Sequence, residues 1–147
     1  KLALGADALT VEEEMTLNQS LEPTGWWDRD AWLRSKIDVL VRNGADAYMF
    51  DWKTGKRRPD FDQLEMFAAQ VFKHYPQVER IKTTFVWLKE MKMDSETFTR
   101  EQEAPIWEKI LGKITRIEGA LEHDNWPAKP SGLCNWCPCK SFCEYAK

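Results

Sequence analysis

A β-hairpin within residues 32–53 places the tightest limit on the fold of this chain. Apolar and polar residues alternate from Trp32 to Val41, which is typical of a half-buried strand. Asn43-Gly44 is a strong hairpin-turn signal, and Ala47 to Lys53 is predicted to be the returning strand. Because side chains two residues apart share a face, and an even-length loop keeps that parity across the hairpin, one face is predicted to be apolar and the other polar.

The polar face of the hairpin carries two carboxylates and a lysine. A four-residue loop places Asp38 opposite Asp51, a two-residue loop keeps both on one face, and Lys53 shares that face. Adjacent carboxylates raise each other's pKa unless a cation neutralises them, and two carboxylate oxygens with a phosphate are a common way to hold Mg²⁺. A nearby lysine can orient an attacking water and offset charge on a phosphate. A solvated strand face with a salt bridge is the alternative. The opposite, apolar face is predicted to be buried and consists of Ile37, Val39, Val41, Tyr48, Phe50 and Trp52.

The other elements predict an α+β or mixed α/β domain. The periodicities predict strands and amphipathic helices outside the hairpin. In chain order these are a weak strand at Val11–Leu17, a helix opened by Asp60 and ended by Pro76, a strand at Ile81–Leu88, a short strand at Glu96–Thr99 after a turn at Lys89–Ser95, and a helix from about Glu101 to Glu122.

Composition limits the function classes. The chain has 147 residues, which is the usual size of one domain, and a net charge of −3, which argues against nucleic-acid binding by bulk charge alone. A nuclease is still compatible with this charge, because a metal site needs carboxylates and a basic surface can be local. No apolar run approaches the ~18 residues of a membrane span. No secretory signal opens the chain and it does not begin with Met, so a fragment is one expectation.

The four cysteines all lie in the irregular tail that begins at Trp126. Their spacing is Cys134-x-x-Cys137-x-Cys139-x-x-x-Cys143, which offers four thiolates for one Zn²⁺ or one iron–sulfur cluster. Reduced thiols, or a disulfide formed on oxidation, are the alternative. In that alternative the tail is packed by its aromatic residues, which are Trp136, Phe142 and Tyr145.

Three short segments together carry a resemblance to a known family. They are Lys36-Ile37-Asp38-Val39-Leu40, Phe50-Asp51-Trp52-Lys53-Thr54-Gly55-Lys56 and Gln63-Leu64-Glu65-Met66-Phe67. The chain, from about Glu14 to Tyr145, resembles the PD-(D/E)XK nuclease superfamily, most of all its RecB-like exonuclease branch and the small bacteriophage-type nucleases within it. The resemblance implies a restriction-endonuclease-like core, with a central mixed sheet flanked by helices. It implies one nuclease domain over residues 1–147, with a cysteine-containing tail at 126–147 packed on it.

The resemblance also implies a set of site residues. Asp38 and Asp51 would bind Mg²⁺ or Mn²⁺ together with the backbone carbonyl of Trp52. Lys53 would act on the attacking water, and Gln63 would contact DNA or support the site. From the residues alone, Gln63 is equally explained as the fourth position of a capping box opened by Asp60. The candidate DNA-binding residues lie in the basic loop after the second strand and are Lys56, Arg57 and Arg58.

The chain departs from the family pattern at two places. Phe67 stands where the family usually has Tyr, so a hydroxyl that could reach a phosphate is lost. The family commonly has an N-terminal helix with a Glu or His facing the metal, and no such helix is predicted before Asp38. A truncated N-terminus would account for this, and Glu14 is either a substitute ligand or a structural residue.

The activity implied by the resemblance is Mg²⁺- or Mn²⁺-dependent hydrolysis of DNA phosphodiesters. Exonuclease action on linear or single-stranded DNA in recombination, repair or phage DNA processing is favoured, in the cytoplasm of a bacterium or phage-infected cell. A recombination or single-strand-binding protein is the expected protein partner, and no membrane is involved. The alternatives are a non-catalytic DNA-binding accessory of the same fold and a zinc-binding interaction module.

The resemblance extends to three of the cysteines. Cys134, Cys137 and Cys143 resemble the C-terminal triad of iron–sulfur members of the branch, which take their fourth ligand from far upstream. This chain has no upstream cysteine. Cys139 is therefore the candidate fourth ligand, although Pro138 makes ligation by both Cys137 and Cys139 awkward.

Overall fold

A five-stranded sheet with one crossover helix forms the body of the computed structural model, which describes residues 5–145. The strands lie in the order β1-β2-β3-β4-β5, and neighbours are antiparallel except for β3 and β4. This mixed α+β architecture confirms the predicted fold class. The elements are β1 (Ala8–Leu17), β2 (Leu33–Asn43), β3 (Asp46–Lys53), α1 (Phe61–His74), β4 (Arg80–Trp87), β5 (Lys92–Thr99) and α2 (Glu103–Glu122).

The chain divides into two compact units, one ending at Ile110 and the other beginning at Leu111. The expectation of one nuclease domain with the tail packed on it stays a prediction. Across residues 5–145, none of the helices has the length and apolar character that a membrane crossing requires.

The parallel pairing of β3 and β4 determines which face of the sheet is buried. A crossover between parallel strands must lie over one face, and here α1 makes that crossover. The buried face of β3 carries Ala47, Met49 and Asp51, whereas Trp52 on the opposite face is 47% exposed. The prediction that the aromatic residues of β3 form the buried layer is therefore wrong. Both faces of β3 are apolar enough to be covered, and the position of the helix decides between them.

The hairpin of β2 and β3 has the register that places the two acidic residues opposite each other. Its pairs run from Asn43–Asp46 to Val39–Phe50, and the same register continued by one residue sets Asp38 against Asp51. Beyond that point β2 continues along β1 as far as Leu33. The two strands of the hairpin therefore separate at Asp38 and Asp51.

A local irregularity in β1 and β2 accompanies this separation. Glu12 has a φ of 53°, which few residues other than glycine adopt. In β2, Ile37 and Leu40 are both fully buried although they are three residues apart. The alternation of buried side chains therefore changes phase next to Asp38, and this carboxylate is half-buried at the point where the phase changes.

The helix α1 begins and ends where the sequence predicts. Asp60 is its N-cap, and the Asp60 side chain accepts a hydrogen bond from Asp62 N at 3.1 Å. At the other end the Tyr75 hydroxyl donates to Glu13 in β1 at 2.6 Å, which ties the helix to the sheet edge. The side chains that α1 buries are Leu64, Phe67, Ala68, Ala69, Gln70, Val71 and Phe72.

The strand β5 is longer than predicted. It begins at Lys92 rather than Glu96, and the turn that joins it to β4 is confined to residues 88–91. The first half of β5 has few apolar residues because it is a sheet edge, so hydrophobic alternation does not reveal it. The longer strand places Asp94 in the sheet.

Arg100 joins the end of β5 to the C-terminus of α1. Its guanidinium donates to the carbonyls of Phe72, at 3.3 Å, and Tyr75, at 2.9 Å, and also to that of Val78. It forms an ion pair with Glu103 at 3.2 Å. Carbonyls at a helix C-terminus lack the intrahelical partners of the helix interior, and this one cation bonds to the Phe72 carbonyl in the last turn and to two carbonyls that follow the helix.

Replacing Arg100 with Leu is expected to lower the free energy of unfolding by about 2–3 kcal/mol, since charged hydrogen bonds to partly buried carbonyls are lost. Urea unfolding followed by tryptophan fluorescence measures this change. Arg116→Leu is the matched control, because Arg116 makes one local bond to Gly112 O on an exposed helix surface. An equal effect of the two substitutions would contradict the role assigned to Arg100.

Candidate active site

The Asp51–Lys53 ion pair is the centre of the candidate site. Lys53 Nζ lies 2.6 Å from Asp51 Oδ2, and Asp51 is only 7% exposed. Both residues lie at the C-terminal end of β3, on the face that α1 covers. Lys53 Nζ also donates to Gln63 Oε1, in the first turn of α1, at 3.3 Å. The structure therefore brings three of the predicted residues together, and the Gln63 side chain bonds to Lys53.

Asp38 lies on the other side of the gap between β2 and β3. Its Oδ2 accepts a hydrogen bond from Trp52 N at 2.8 Å. An extended residue presents its N–H and C=O at the same strand edge, so the Trp52 carbonyl is also directed toward β2. The carbonyl of the next residue, Lys53, faces the β4 side of the strand. It accepts a hydrogen bond at 3.0 Å from the N–H of Leu88, the residue that follows β4. Asp38 and the Trp52 carbonyl thus face the gap from opposite strands.

Burial and charge have opposing effects on Asp51. Burial raises the pKa of the Asp51 carboxyl above its ordinary value of 3.8, and Lys53 opposes this rise. The nearby Asp38 carboxylate raises the pKa further. The charged form of Asp51 is thus unfavourable on balance, even with the lysine beside it.

Two aromatic residues of β4 form a wall next to the ion pair. Phe85 is the register partner of Asp51, and Trp87 is that of Lys53. Lys53 Nζ lies 5.0 Å from the centre of the Phe85 ring, and the two aromatic rings are 5.6 Å apart. The sequence predicts both residues as parts of a strand, but their place beside Lys53 depends on the β3–β4 register, which no local signal fixes.

The basic loop after β3 is tied to β5 through Arg57. Arg57 Nε donates to Asp94 Oδ2 at 2.8 Å, and the same oxygen accepts from Trp87 Nε1 at 2.8 Å. The neighbouring Lys56 and Arg58 are exposed. Asp94 was not a predicted site residue. Its signal is faint, because a single acidic residue in a polar edge strand has no distinctive spacing.

Glu14 lies apart from the ion pair. It faces Lys36 across β1 and β2, and Lys36 Nζ is 3.3 Å from its Oε1. Glu14 lies in β1 and Asp51 in β3, so the strand β2 separates them in the sheet order. This contact favours the structural explanation of Glu14.

The four cysteines are free thiols, of which Cys134 lies within a short 3₁₀ helix and the other three flank two such helices. Cys134 is partly buried and accepts a hydrogen bond from Ser131 N at 3.3 Å, while the other three are exposed. Among residues 5–145, no group of three or more His, Cys, Asp or Glu side chains is arranged to hold a metal ion. The alternative of a tail packed by its aromatic residues is wrong in that respect, since Trp136 is 86%, Phe142 is 91% and Tyr145 is 50% exposed. Metal binding by the tail stays a prediction.

Two aspartates on the same sheet face are expected to affect stability in opposite directions. The raised pKa of Asp51 means that its charged form reduces stability as the pH rises above 3.8 through the folded-state value. Arg57 lowers the pKa of Asp94, so its charge adds stability that is lost as the pH falls below 3.8. At pH 7 without divalent metal, the melting temperature of Asp51→Asn should be higher than that of the wild type, and the melting temperature of Asp94→Asn should be lower. The difference between Asp51→Asn and the wild type is expected to vanish at pH 3, which lies below both pKa values of Asp51, and that of Asp94→Asn is expected to shrink as the pH falls below 3.8. A less stable Asp51→Asn at pH 7 would contradict this account.

Comparison with known proteins identifies the family of the chain. The family model described as the PD-(D/E)XK nuclease superfamily matches residues 4–144. The crystal structure of SSO0001 is similar at 10% identity, with a TM-score of 0.42, and the match covers 95% of this chain and 61% of that one. This chain therefore spans less than two thirds of the length of that protein. No curated protein matches the chain. The family match spans β1 to the cysteine tail, and the chain belongs to the PD-(D/E)XK nuclease superfamily.

Proposed function

We propose that this protein hydrolyses DNA phosphodiesters with the help of a divalent cation, Mg²⁺ or Mn²⁺, held between β2 and β3. The single observation that carries the proposal is the buried Asp51 carboxylate, which faces Asp38 across separating strands and lies 2.6 Å from Lys53. Membership of a nuclease superfamily supports the same activity.

The residues at the gap fit a divalent cation. Asp51 is a buried carboxylate with a raised pKa, so a cation that neutralised it would remove a cost present in the metal-free protein. Asp38 and the Trp52 carbonyl offer further oxygen ligands, which are the type that Mg²⁺ and Mn²⁺ bind. When bound, the cation would activate water and stabilise charge on the phosphate.

Lys53 supplies the chemistry that the chain itself provides. Its ammonium has three N–H donors, of which one faces Asp51 and one faces Gln63, so one remains for a water or a phosphate oxygen. The two contacts fix the direction of that donor, and the Phe85 ring limits the approach of bulk water from β4. A cation held in this way can orient an attacking water and offset the negative charge that develops on the phosphate.

Preference for linear or single-stranded DNA is the finer part of the proposal. It rests on the resemblance to the RecB-like branch and its phage members, as do the proposed roles in recombination, repair or phage DNA processing. A recombination or single-strand-binding partner and a cytoplasmic location rest on the same resemblance. The exposed basic loop at Lys56 and Arg58 lies directly after the catalytic strand and offers a local positive surface.

Cleavage of end-labelled DNA tests the activity. Single- and double-stranded substrates, linear and circular, are incubated with Mg²⁺, Mn²⁺ or EDTA. The wild type is expected to cleave only with metal, and Asp51→Ala and Lys53→Ala are each expected to lose at least about 100-fold in rate. Asp46→Ala is the matched control, because it removes a carboxylate from the opposite end of the same strand.

The outcomes separate the proposal from its rivals. Survival of circular DNA would make the enzyme an exonuclease. A folded wild type that binds DNA but cleaves none of the substrates would favour the non-catalytic accessory. Metal bound only at the cysteines, with no effect of Asp51→Ala, would favour the zinc-binding module.

We also propose that the cysteine tail holds a structural Zn²⁺ or an iron–sulfur cluster. Cys134, Cys137 and Cys143 would supply three thiolates, and the spacing of these thiolates supports the assignment.

Anaerobic purification followed by metal analysis is expected to give one zinc ion or one cluster per chain. Cys137→Ser should abolish this binding, because only three thiolates then remain, one fewer than a tetrahedral Zn²⁺ or a four-cysteine cluster needs. Cys139→Ser tests whether Cys139 is the fourth ligand. Full metal content in Cys137→Ser would overturn the assignment.

A further inference from the structure

We propose that Asp94 is a positioning residue, which holds the Arg57 guanidinium beside the Asp51–Lys53 site so that Arg57 binds a phosphate of the DNA strand. This inference rests on the proposed function, and it assigns a role to a residue that the family motif does not include.

The sheet register places Asp94 next to the site. Asp51, Phe85 and Asp94 are successive partners across β3, β4 and β5, so their side chains lie on one face. Two strand spacings of about 4.8 Å separate the backbones of the two aspartates. Within this distance lies a continuous set of contacts, from Lys53 to the Phe85 ring, to the Trp87 ring and to Asp94.

Asp94 is built to hold a cation in a fixed direction. Its side chain is only 13% exposed, and Trp87 Nε1 fixes its Oδ2 at 2.8 Å. Both carboxylate oxygens face Arg57, one through Nε and the other through Nη2, in the two-point geometry of an arginine–carboxylate pair. Because Trp87 anchors the carboxylate, the orientation of the guanidinium follows from the sheet.

Arg57 keeps donors for a ligand while it is held. Two of its nitrogens face Asp94, and the third, Nη1, points away from the pair. The side chain is 41% exposed, although its loop is tied to the β4–β5 turn by the approach of Arg57 N to Glu90 Oε1 at 3.4 Å. A guanidinium that is fixed on one side and exposed on the other loses little rotamer freedom when it binds a phosphate.

The sign of the effect of Asp94 on DNA affinity separates this role from bulk electrostatics. The protein carries a net charge of −3, so removal of any carboxylate should strengthen binding to a polyanion. If Asp94 acts through Arg57, its neutralisation should weaken binding despite the more favourable net charge. If Asp94 had only a structural role, its neutralisation would lower the stability of the protein, and DNA binding would still become tighter.

The chain provides a matched control in the Asp46–Arg80 pair. Arg80 Nε lies 2.8 Å from Asp46 Oδ1, the same atom type and distance as in the Arg57–Asp94 pair. Asp46 is the first residue of β3 and Lys53 is the last, so the control lies about 23 Å from the site along the strand. Asp46→Asn therefore removes the same charge and the same kind of pair, far from the candidate active site.

The experiment measures the dissociation constant of fluorescent single-stranded and duplex oligonucleotides at several salt concentrations. It is done in Ca²⁺ without Mg²⁺ or Mn²⁺, well below the unfolding temperature of each variant. Asp94→Asn is expected to raise the dissociation constant by about three- to tenfold, while Asp94→Glu restores part of the affinity. Arg57→Gln should weaken binding similarly. It should also reduce the slope of the logarithm of the binding constant against the logarithm of the salt concentration, by about 0.7 for single strands or 0.9 for duplex. The double variant should bind no more weakly than Arg57→Gln.

The results separate this inference from the proposed nuclease activity. Asp46→Asn is expected to bind DNA as tightly as the wild type or more tightly, and the same result for Asp94→Asn would overturn the role of Asp94. Additive losses of DNA affinity in the double variant would also overturn it. Cleavage in Mg²⁺ measured in parallel would still support the nuclease in that case. Weakened binding by Asp94→Asn without cleavage by the wild type would support Asp94 and overturn the nuclease, and no DNA binding by the wild type would overturn both.

Discussion

The Asp51 carboxyl group lies in a place from which the fold removes water, and the rest of the site depends on this constraint. The crossover helix α1 must cover one face of the sheet, and it covers the face that carries Asp51. A buried carboxylate is stable only when groups around it compensate for its lost hydration. Lys53 provides a cation from the same strand, and Gln63 provides an acceptor for that lysine from the covering helix.

The separation of β2 and β3 makes room for chemistry, and the Asp38 side chain satisfies the backbone N–H of Trp52 at this point. Where the ladder ends, Trp52 N–H would lose its partner on β2, and the Asp38 carboxylate takes its place as an acceptor. The same side chain that closes the end of the ladder therefore brings negative charge to the gap. Beside Asp38 the alternation of buried side chains changes phase. The strand β2 therefore turns away from β3 while Ile37 and Leu40 both stay in the core.

Sequence patterns predicted the parts of the fold that depend on local order. Alternation and the turn signal predicted the hairpin and the facing of Asp38 and Asp51, and an N-cap with apolar periodicity predicted α1. The covered face of β3 was not predictable, since both of its faces are apolar and the helix position is decided by the parallel β3–β4 pairing. Asp94 was missed for a related reason. Its proximity to Asp51 depends on two registers across three strands, which short-range spacing does not encode.

The charges on the site face are arranged for recognition at short range. Asp51 is paired with Lys53, and Asp94 with Arg57, so each cation is largely neutralised when viewed from a distance. Attraction of a polyanion over more than a Debye length of about 8 Å would then be weak, in keeping with a chain whose net charge is −3. At contact distance the same pairing favours phosphate binding, because it fixes the directions of N–H donors to which a phosphate can bind. A site of this kind selects a phosphodiester by geometry, and long-range steering has to come from other surfaces, such as the exposed basic residues Lys56 and Arg58.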